Sequence, residues 1–205
     1  MKHLPNLLTG LRLALALFVF VALVAAGGDV GRLGAWTSRT GAFALERWAL
    51  FAFVLAAASD FFDGWLARRL GATSLWGAIL DPIADKVLVC AAVLGLLALR
   101  DGWVALPGGL ILFREFAVSA LREVLAGKGL RLPVTILAKW KTTIQLAALA
   151  AALFAANPPA FGVAGGAMAS ALGAGALALL WLAAVLTLVT GAQYLAQACR
   201  ALSAP

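Results

Sequence analysis

Six apolar stretches follow one another along the chain, and each is about long enough to cross a bilayer as a helix. They cover about residues 7–27, 45–69, 75–99, 103–125, 134–156 and 170–197. Such a chain needs lipid as its solvent, because 64% of its residues are hydrophobic and 12% are charged, against roughly 25% charged in soluble domains. The sequence therefore predicts an all-α integral membrane protein, a bundle of six transmembrane helices forming a single domain over residues 1–205. The first stretch is as apolar as the later ones, so we expect a retained span and no cleaved signal peptide.

The positive charges predict the orientation of this bundle in the membrane. Of the 16 Lys and Arg residues, twelve belong to segments assigned to one side and four to the other. This bias predicts that both termini face the cytoplasm. The net charge of +7 fits contact with anionic lipid headgroups, so we expect membrane lipids and no nucleic acid as partners. The Asn157-Pro158-Pro159 break and the glycine-rich stretch up to Gly175 predict an uncharged external loop.

Two aspartates stand at the end of the second apolar stretch. Asp60, Asp63, Gly64 and Ala67 occupy positions i, i+3, i+4 and i+7, so on a helix they share one face. The two small residues leave room beside the carboxylates for another helix or a ligand to approach closely. A solvated helix end is the alternative reading of this pair taken alone.

Two more aspartates open the third stretch. Gly77, Asp81 and Asp85 follow one another at intervals of four residues. On a helix, a small residue therefore again shares a face with two carboxylates. Asp81 precedes Pro82, which is also the pattern of a helix N-cap followed by proline at the first helical position. All four aspartates at this joint spacing favour a functional site.

Four carboxylates near one membrane surface repel one another strongly, because the local dielectric constant is low. We therefore expect bound cations to neutralise their charge. Oxygen ligands suit hard ions, so the predicted cofactor is Mg²⁺ or Mn²⁺, with two ions per active site. Two such ions can bind a phosphate between them, and Arg68 can donate two parallel hydrogen bonds to the same phosphate. The four aspartates therefore predict chemistry on a phosphate.

The same aspartates carry a family resemblance. The run Asp60-x2-Asp63-Gly64-x2-Ala67-Arg68-x8-Gly77-x3-Asp81-x3-Asp85 resembles the complete signature of the CDP-alcohol phosphotransferases, whose fold the six-span layout also resembles. Four further stretches resemble the bacterial phosphatidylglycerophosphate synthases within that family. They are Pro5-Asn6-Leu7-Leu8-Thr9-x2-Arg12, Asp81-Pro82-Ile83-Ala84-Asp85-Lys86, Arg114-Glu115-Phe116-x2-Ser119-x2-Arg122-Glu123 and Lys139-x-Lys141-Thr142-Thr143-x-Gln145.

The resemblance implies transfer of a phosphatidyl group from CDP-diacylglycerol to sn-glycerol 3-phosphate, giving phosphatidylglycerophosphate and CMP. It implies that Asp60, Asp63, Asp81 and Asp85 bind the two metal ions and that Asp85 is also the general base. It further implies a homodimer in the bacterial inner membrane, with the active site facing the cytoplasm. The residues expected at the CDP-diacylglycerol site are Asn6, Thr9, Gly64, Ala67, Arg68, Ser74 and Gly77.

Glycerol 3-phosphate carries about two negative charges and therefore needs a basic pocket beside the metal ions. We expect Arg114 and Arg122, eight residues apart on one helix face, together with Lys139 and Lys141. The two lysines are two residues apart, so they cannot both point the same way, and one is expected to face lipid headgroups. The alternative is that all these side chains only anchor the helices at the membrane interface.

Other functions stay open at this point. Serine, inositol phosphate or phosphatidylglycerol could be the acceptor, although a basic pocket favours a phosphorylated one. A cation channel or transporter would instead place its carboxylates near mid-membrane on several spans, and a purely structural membrane protein leaves the aspartates unexplained.

Overall fold

The computed structural model describes residues 4–28, 38–70, 75–99, 102–129 and 136–203, with side chains over 7–28, 38–59, 80–99, 102–129 and 140–203. In these ranges the chain forms six α-helices, two short 3₁₀ segments and no β-strand. The helices are α1 (Leu4–Gly27), α2 (Arg39–Leu70), α3 (Leu75–Ala98), α4 (Ala105–Gly127), α5 (Ile136–Ala156) and α6 (Ala167–Ser203). The 3₁₀ segments are Gly102–Val104 before α4 and Pro158–Phe161 after α5.

Within the described residues, four stretches are long and apolar enough to cross a membrane, namely Leu7–Gly27, Arg39–Ser59, Gly102–Gly127 and Ala167–Ser203. A shorter apolar helix covers Trp140–Ala156 within α5. The remaining helix, α3, is 24 residues long, and its charged residues lie in its first half. The chain is therefore a multi-pass, all-α membrane protein, and the prediction of six helices is confirmed over the described residues.

The predicted and observed boundaries differ most in α2 and α6, and α6 continues to Ser203 instead of ending near residue 197. The glycine-rich stretch up to Gly175 was expected to be a loop, but α6 already begins at Ala167 and includes that glycine. In lipid, a helix satisfies backbone groups that water would bind in a loop, which outweighs the low helix propensity of isolated glycines. In addition, α2 begins at Arg39 and not near residue 45, because the Ser38 Oγ accepts a hydrogen bond from the Gly41 amide at 3.2 Å and caps the helix.

Contacts between side chains show that successive helices run in alternate directions. Near the start of α1, Thr9 contacts Asp81 near the start of α3, and Gly27 at the end of α1 lies against Ala98 at the end of α3. Lys86 of α3 reaches Ser119 in the second half of α4, so these two helices are antiparallel. Helices α1, α3 and α5 therefore begin at the end of the bundle where α2, α4 and α6 finish. We call this end of the bundle the site end.

The core is built largely from small residues, so the helices approach one another closely. Helix α1 packs most extensively against α2 and α3, and α6 packs most extensively against α5 and α4. A Cβ added at Gly27 would collide with the carbonyl oxygen of Ala98, so only glycine permits this contact between α1 and α3. In lipid, close packing of this kind replaces the hydrophobic driving force that holds helices together in water.

At the end of the bundle opposite the site end, hydrogen bonds join α2 to the segment that follows α5. The Asn157 side-chain amide donates a hydrogen bond to Glu46 Oε1 at 3.0 Å, and Arg47 Nη1 donates one to the Ala160 carbonyl at 3.2 Å. Glu46 is only 5% exposed, so its carboxylate needs such a partner. These bonds hold the 3₁₀ segment Pro158–Phe161 against α2.

Candidate active site

The third helix carries two of the four predicted metal-binding aspartates on one face. Asp81 and Asp85 are one turn apart within α3, and the Asp85 side chain is 48% exposed. The alternative reading of Asp81 as an N-cap is wrong, because α3 begins at Leu75 and Pro82 lies inside the helix. The two carboxylates therefore project from a continuous helix at the site end, where they are accessible to a ligand.

The first helix supplies a polar partner to each of these aspartates. Thr9 Oγ1 donates a hydrogen bond to Asp81 Oδ1 at 2.6 Å, and Arg12 Nη1 lies 3.0 Å from Asp85 Oδ1. The pairs match because each helix presents two residues about one turn apart and the two helices run parallel. Arg12 is fully buried, so its guanidinium depends on a counter-ion such as this carboxylate.

Arg12 contacts the predicted base Asp85, although the sequence predicted no role for it beyond its place in a family-like stretch. The available signal was its position three residues after Thr9 inside an apolar run, which puts both side chains on one face of α1.

Helix α2 continues through the signature to Leu70, so the helical spacing predicted for Asp60, Asp63, Gly64, Ala67 and Arg68 is confirmed. These residues occupy the last third of α2, which ends at the site end. Ser74 lies outside the described residues. Predictions about the side chains of Asn6, Asp60, Asp63, Arg68 and Lys139 also fall outside the described part of the chain. The described side chains include no group of three acidic, His or Cys residues that could hold a metal ion.

A second cluster of charged residues joins α4, α5 and α6. Arg114 is 8% exposed and Lys141 is 5% exposed, and both contact the carboxylate of Glu115. Arg114 Nη1 lies 3.3 Å from Glu115 Oε1, the same oxygen that accepts the Lys141 ammonium. Arg114 Nη2 also donates a hydrogen bond to Thr190 Oγ1 at 2.9 Å. Two predicted acceptor-site cations are thus brought together, and each has a partner within the protein.

Arg122 extends this basic cluster along α4. Its guanidinium carbon lies 5.2 Å from the ring centre of Tyr194, and that of Arg114 lies 6.0 Å from the same ring. Both distances fit cation–π attraction. Arg122 is exposed, unlike Arg114 and Lys141, and it shares the Tyr194 ring with Arg114. The predicted common face of Arg114 and Arg122 is therefore confirmed.

Polar contacts connect this cluster with the aspartates and with the core. Lys86, next to Asp85 in the chain, donates a hydrogen bond to Ser119 of α4. On the other side, Thr187 Oγ1 donates to Gln145 Oε1 at 3.2 Å, and both residues are almost fully buried. Ser119 lies one turn beyond Glu115 on α4, so the residue that follows Asp85 contacts α4 next to the basic cluster.

The family model described as CDP-alcohol phosphatidyltransferase matches residues 2–189 of the chain. The chain belongs to this family. Among curated relatives, a CDP-diacylglycerol–glycerol-3-phosphate 3-phosphatidyltransferase from Cereibacter sphaeroides is 42% identical over 178 residues, 73% of this chain and 80% of the relative. Proteins of the same name from Rickettsia felis and Rickettsia typhi are 35% and 36% identical, over 97% and 98% of this chain and 96% and 98% of their own lengths.

Membership of the CDP-alcohol phosphatidyltransferase family confirms the resemblance that the aspartate signature carried. The match extends over most of the chain, from α1 into α6, and so includes the α3 aspartates and the charged residues of the basic cluster. In this family member, the α3 aspartates are held by α1, while the basic cluster is built from α4, α5 and α6.

Proposed function

We propose that the protein transfers the phosphatidyl group of CDP-diacylglycerol to sn-glycerol 3-phosphate, releasing CMP and forming phosphatidylglycerophosphate. The observation that carries this proposal is the pair Asp81 and Asp85 at the same end of the bundle as a buried cluster of cations. The carboxylates suit a metal-assisted phosphate reaction, and the cations suit an acceptor that itself carries a phosphate. The names of the relatives from Cereibacter and Rickettsia support the same pair of substrates.

The metal ions are assigned to Asp60, Asp63, Asp81 and Asp85. Carboxylate oxygens are the ligands that Mg²⁺ and Mn²⁺ prefer, and the two described aspartates lie one turn apart with Asp85 half-exposed, so the donor set fits. Bound there, two divalent cations would stabilise the negative charge that develops on the phosphoryl oxygens during transfer.

Asp85 is assigned as the general base. The acceptor hydroxyl loses its proton as it attacks the phosphorus that bears the diacylglycerol, and a carboxylate within about 3 Å of that hydroxyl can take the proton. Arg12 contacts Asp85 Oδ1 at 3.0 Å and so fixes the direction of the carboxylate, while the half-exposed side chain remains reachable for substrate. The bond from the phosphorus to the CMP oxygen then breaks, and CMP leaves.

The remaining substrate contacts are part of the same proposal. Arg114, Arg122, Lys139 and Lys141 would receive the phosphate of glycerol 3-phosphate, with Arg114 and Lys141 preformed by their contacts to Glu115. The last third of α2 and the start of α1 would hold the cytidine diphosphate. The residues assigned there are Asn6, Thr9, Gly64, Ala67, Arg68, Ser74 and Gly77.

The cellular setting follows from the charge pattern and the family. We place the site end on the cytoplasmic side of the bacterial inner membrane, where cytidine nucleotides and glycerol 3-phosphate are soluble and the diacyl tails stay in lipid. We also propose that the chain is one domain and works as a homodimer.

The test is CMP release by the purified protein in detergent with CDP-dioleoylglycerol, Mg²⁺ and a panel of acceptors. The panel comprises sn-glycerol 3-phosphate, inositol phosphate, serine, phosphatidylglycerol and no acceptor. We expect rapid release with glycerol 3-phosphate alone. Preference for another acceptor would overturn the proposed substrate, and movement of metal ions across vesicles without any CMP release would support a transporter instead.

A further inference from the structure

Glu115 lies between two cations that come from different helices. Its Oε1 accepts a hydrogen bond from Arg114 on the same helix, α4, and another from Lys141 on α5. The Glu115 side chain is 18% exposed, whereas those of Arg114 and Lys141 are 7% and 6% exposed. One carboxylate oxygen therefore connects the two most buried cations among the described residues of the proposed acceptor site.

Two buried cations repel each other strongly when they are forced together away from water. The carboxylate between them removes most of that repulsion, yet two positive charges against one negative leave the trio with a net positive charge. With Arg122 nearby, the cluster carries two net positive charges, which matches the charge of about −2 on a phosphate monoester. Glu115 thus allows the cations to be adjacent without cancelling the attraction for an anion.

We propose that Glu115 is a positioning residue for the acceptor, which holds the Arg114 guanidinium and the Lys141 ammonium side by side to receive one phosphate group. This inference rests on the proposed function. The other contacts of Arg114 support it, because Thr190 fixes Nη2 at 2.9 Å and Gly191 leaves space for the side-chain stem. Among described residues the Lys141 ammonium has no partner besides Glu115, so the lysine depends on it most.

Removing the carboxylate has two opposing effects on phosphate binding, and they predict opposite results. The cluster gains one net positive charge, which would tighten the binding of an anion by charge alone. It also loses the group that orients Lys141 on its flexible stem, which would weaken binding. The positioning role predicts that the second effect is larger.

The first experiment measures steady-state kinetics for Glu115→Gln, in which the side chain keeps its shape and loses its charge. We expect KM for glycerol 3-phosphate to rise about tenfold, while kcat and KM for CDP-dioleoylglycerol stay within about twofold. The matched control is Glu123→Gln on the same helix, since Glu123 is exposed and forms no hydrogen bond or ion pair with a described residue. An unchanged or lower acceptor KM would show that Glu115 only neutralises charge, and a parallel loss in all three constants would show a purely structural role.

A double-mutant cycle tests whether Glu115 acts through Lys141. Lys141→Met removes the ammonium, and the double variant replaces a buried ion pair with two neutral side chains, so it is expected to fold even where Glu115→Gln does not. If Glu115 acts mainly through Lys141, Glu115→Gln raises the acceptor KM much less in the Lys141→Met background, where only its contact with Arg114 is lost, than in the wild type. Independent, multiplying effects would overturn the inference.

The kinetics of wild-type protein and Glu115→Gln together separate this inference from the proposed function. A wild-type protein that does not use glycerol 3-phosphate would refute the function and, with it, the role of Glu115. A wild-type protein that uses glycerol 3-phosphate, combined with an unchanged acceptor KM in Glu115→Gln, would refute the positioning role alone.

Discussion

Gly191 of α6 gives a way to move Arg114 without removing it. A Cβ at this position would lie 2.9 Å from Cγ and 3.3 Å from Nε of Arg114. Carbon atoms in contact prefer a separation of about 3.5–4.0 Å, so in Gly191→Ala the arginine stem must shift by about 0.6–1 Å. The contact to Glu115 is already 3.3 Å long, so a shift of that size breaks it or the 2.9 Å bond to Thr190.

One hydrogen bond to a charged group contributes about 1.5–3 kcal/mol, and about 1.4 kcal/mol corresponds to a factor of ten. Gly191→Ala should therefore raise KM for glycerol 3-phosphate by about ten- to a hundredfold in a CMP-release assay, with KM for CDP-diacylglycerol within about twofold. Gly175→Ala is the matched control, because the same methyl group in the same helix meets no atom within 4 Å. If both variants behave alike, the position of Arg114 does not determine acceptor binding and the reasoning is refuted.

Three further predictions follow from the described contacts. Asp85→Asn should abolish CMP release, because an amide cannot take the proton of the acceptor hydroxyl. The variant should stay folded in detergent, because the amide oxygen can still accept the Arg12 hydrogen bond. Substantial CMP release by the variant would show that Asp85 is not the base. Chelation by EDTA should abolish CMP release, and added Mg²⁺ or Mn²⁺ should restore it; activity unaffected by exhaustive chelation would contradict a metal-dependent reaction. Gly27→Ala should lower the free energy of unfolding by about 1–3 kcal/mol, because the new Cβ would collide with the Ala98 carbonyl. The control Gly109→Ala should leave the free energy of unfolding unchanged, because its Cβ would meet open space. Equal stability of the two variants in thermal unfolding in detergent would contradict this packing.

The sequence was enough to predict the helices and the signature face, because both follow from local regularities. Apolar stretches of bilayer length predict spans, and i, i+3, i+4 and i+7 spacing predicts a common face once the segment is helical. The main error, the loop up to Gly175, came from treating glycines as loop formers in an environment where lipid favours the helix.

Contacts between helices could not be predicted in the same way. Nothing local to Arg12 indicates that it meets Asp85, since the two residues are 73 positions apart and the pairing depends on the parallel packing of α1 and α3. The role of Glu115 is similar, because its second partner, Lys141, lies on another helix. The sequence predicted the cations of the acceptor site but indicated no part for Glu115 in acceptor binding.

The central claim is tested most directly by identifying the lipid formed from CDP-dioleoylglycerol and ¹³C-labelled sn-glycerol 3-phosphate, using mass spectrometry of wild-type protein and Asp85→Asn. We predict ¹³C-labelled phosphatidylglycerophosphate in amounts equal to the CMP released by the wild type, and none from the variant. Release of CMP without ¹³C in the lipid product would contradict the claim, because the phosphatidyl group would then have passed to water or to another acceptor.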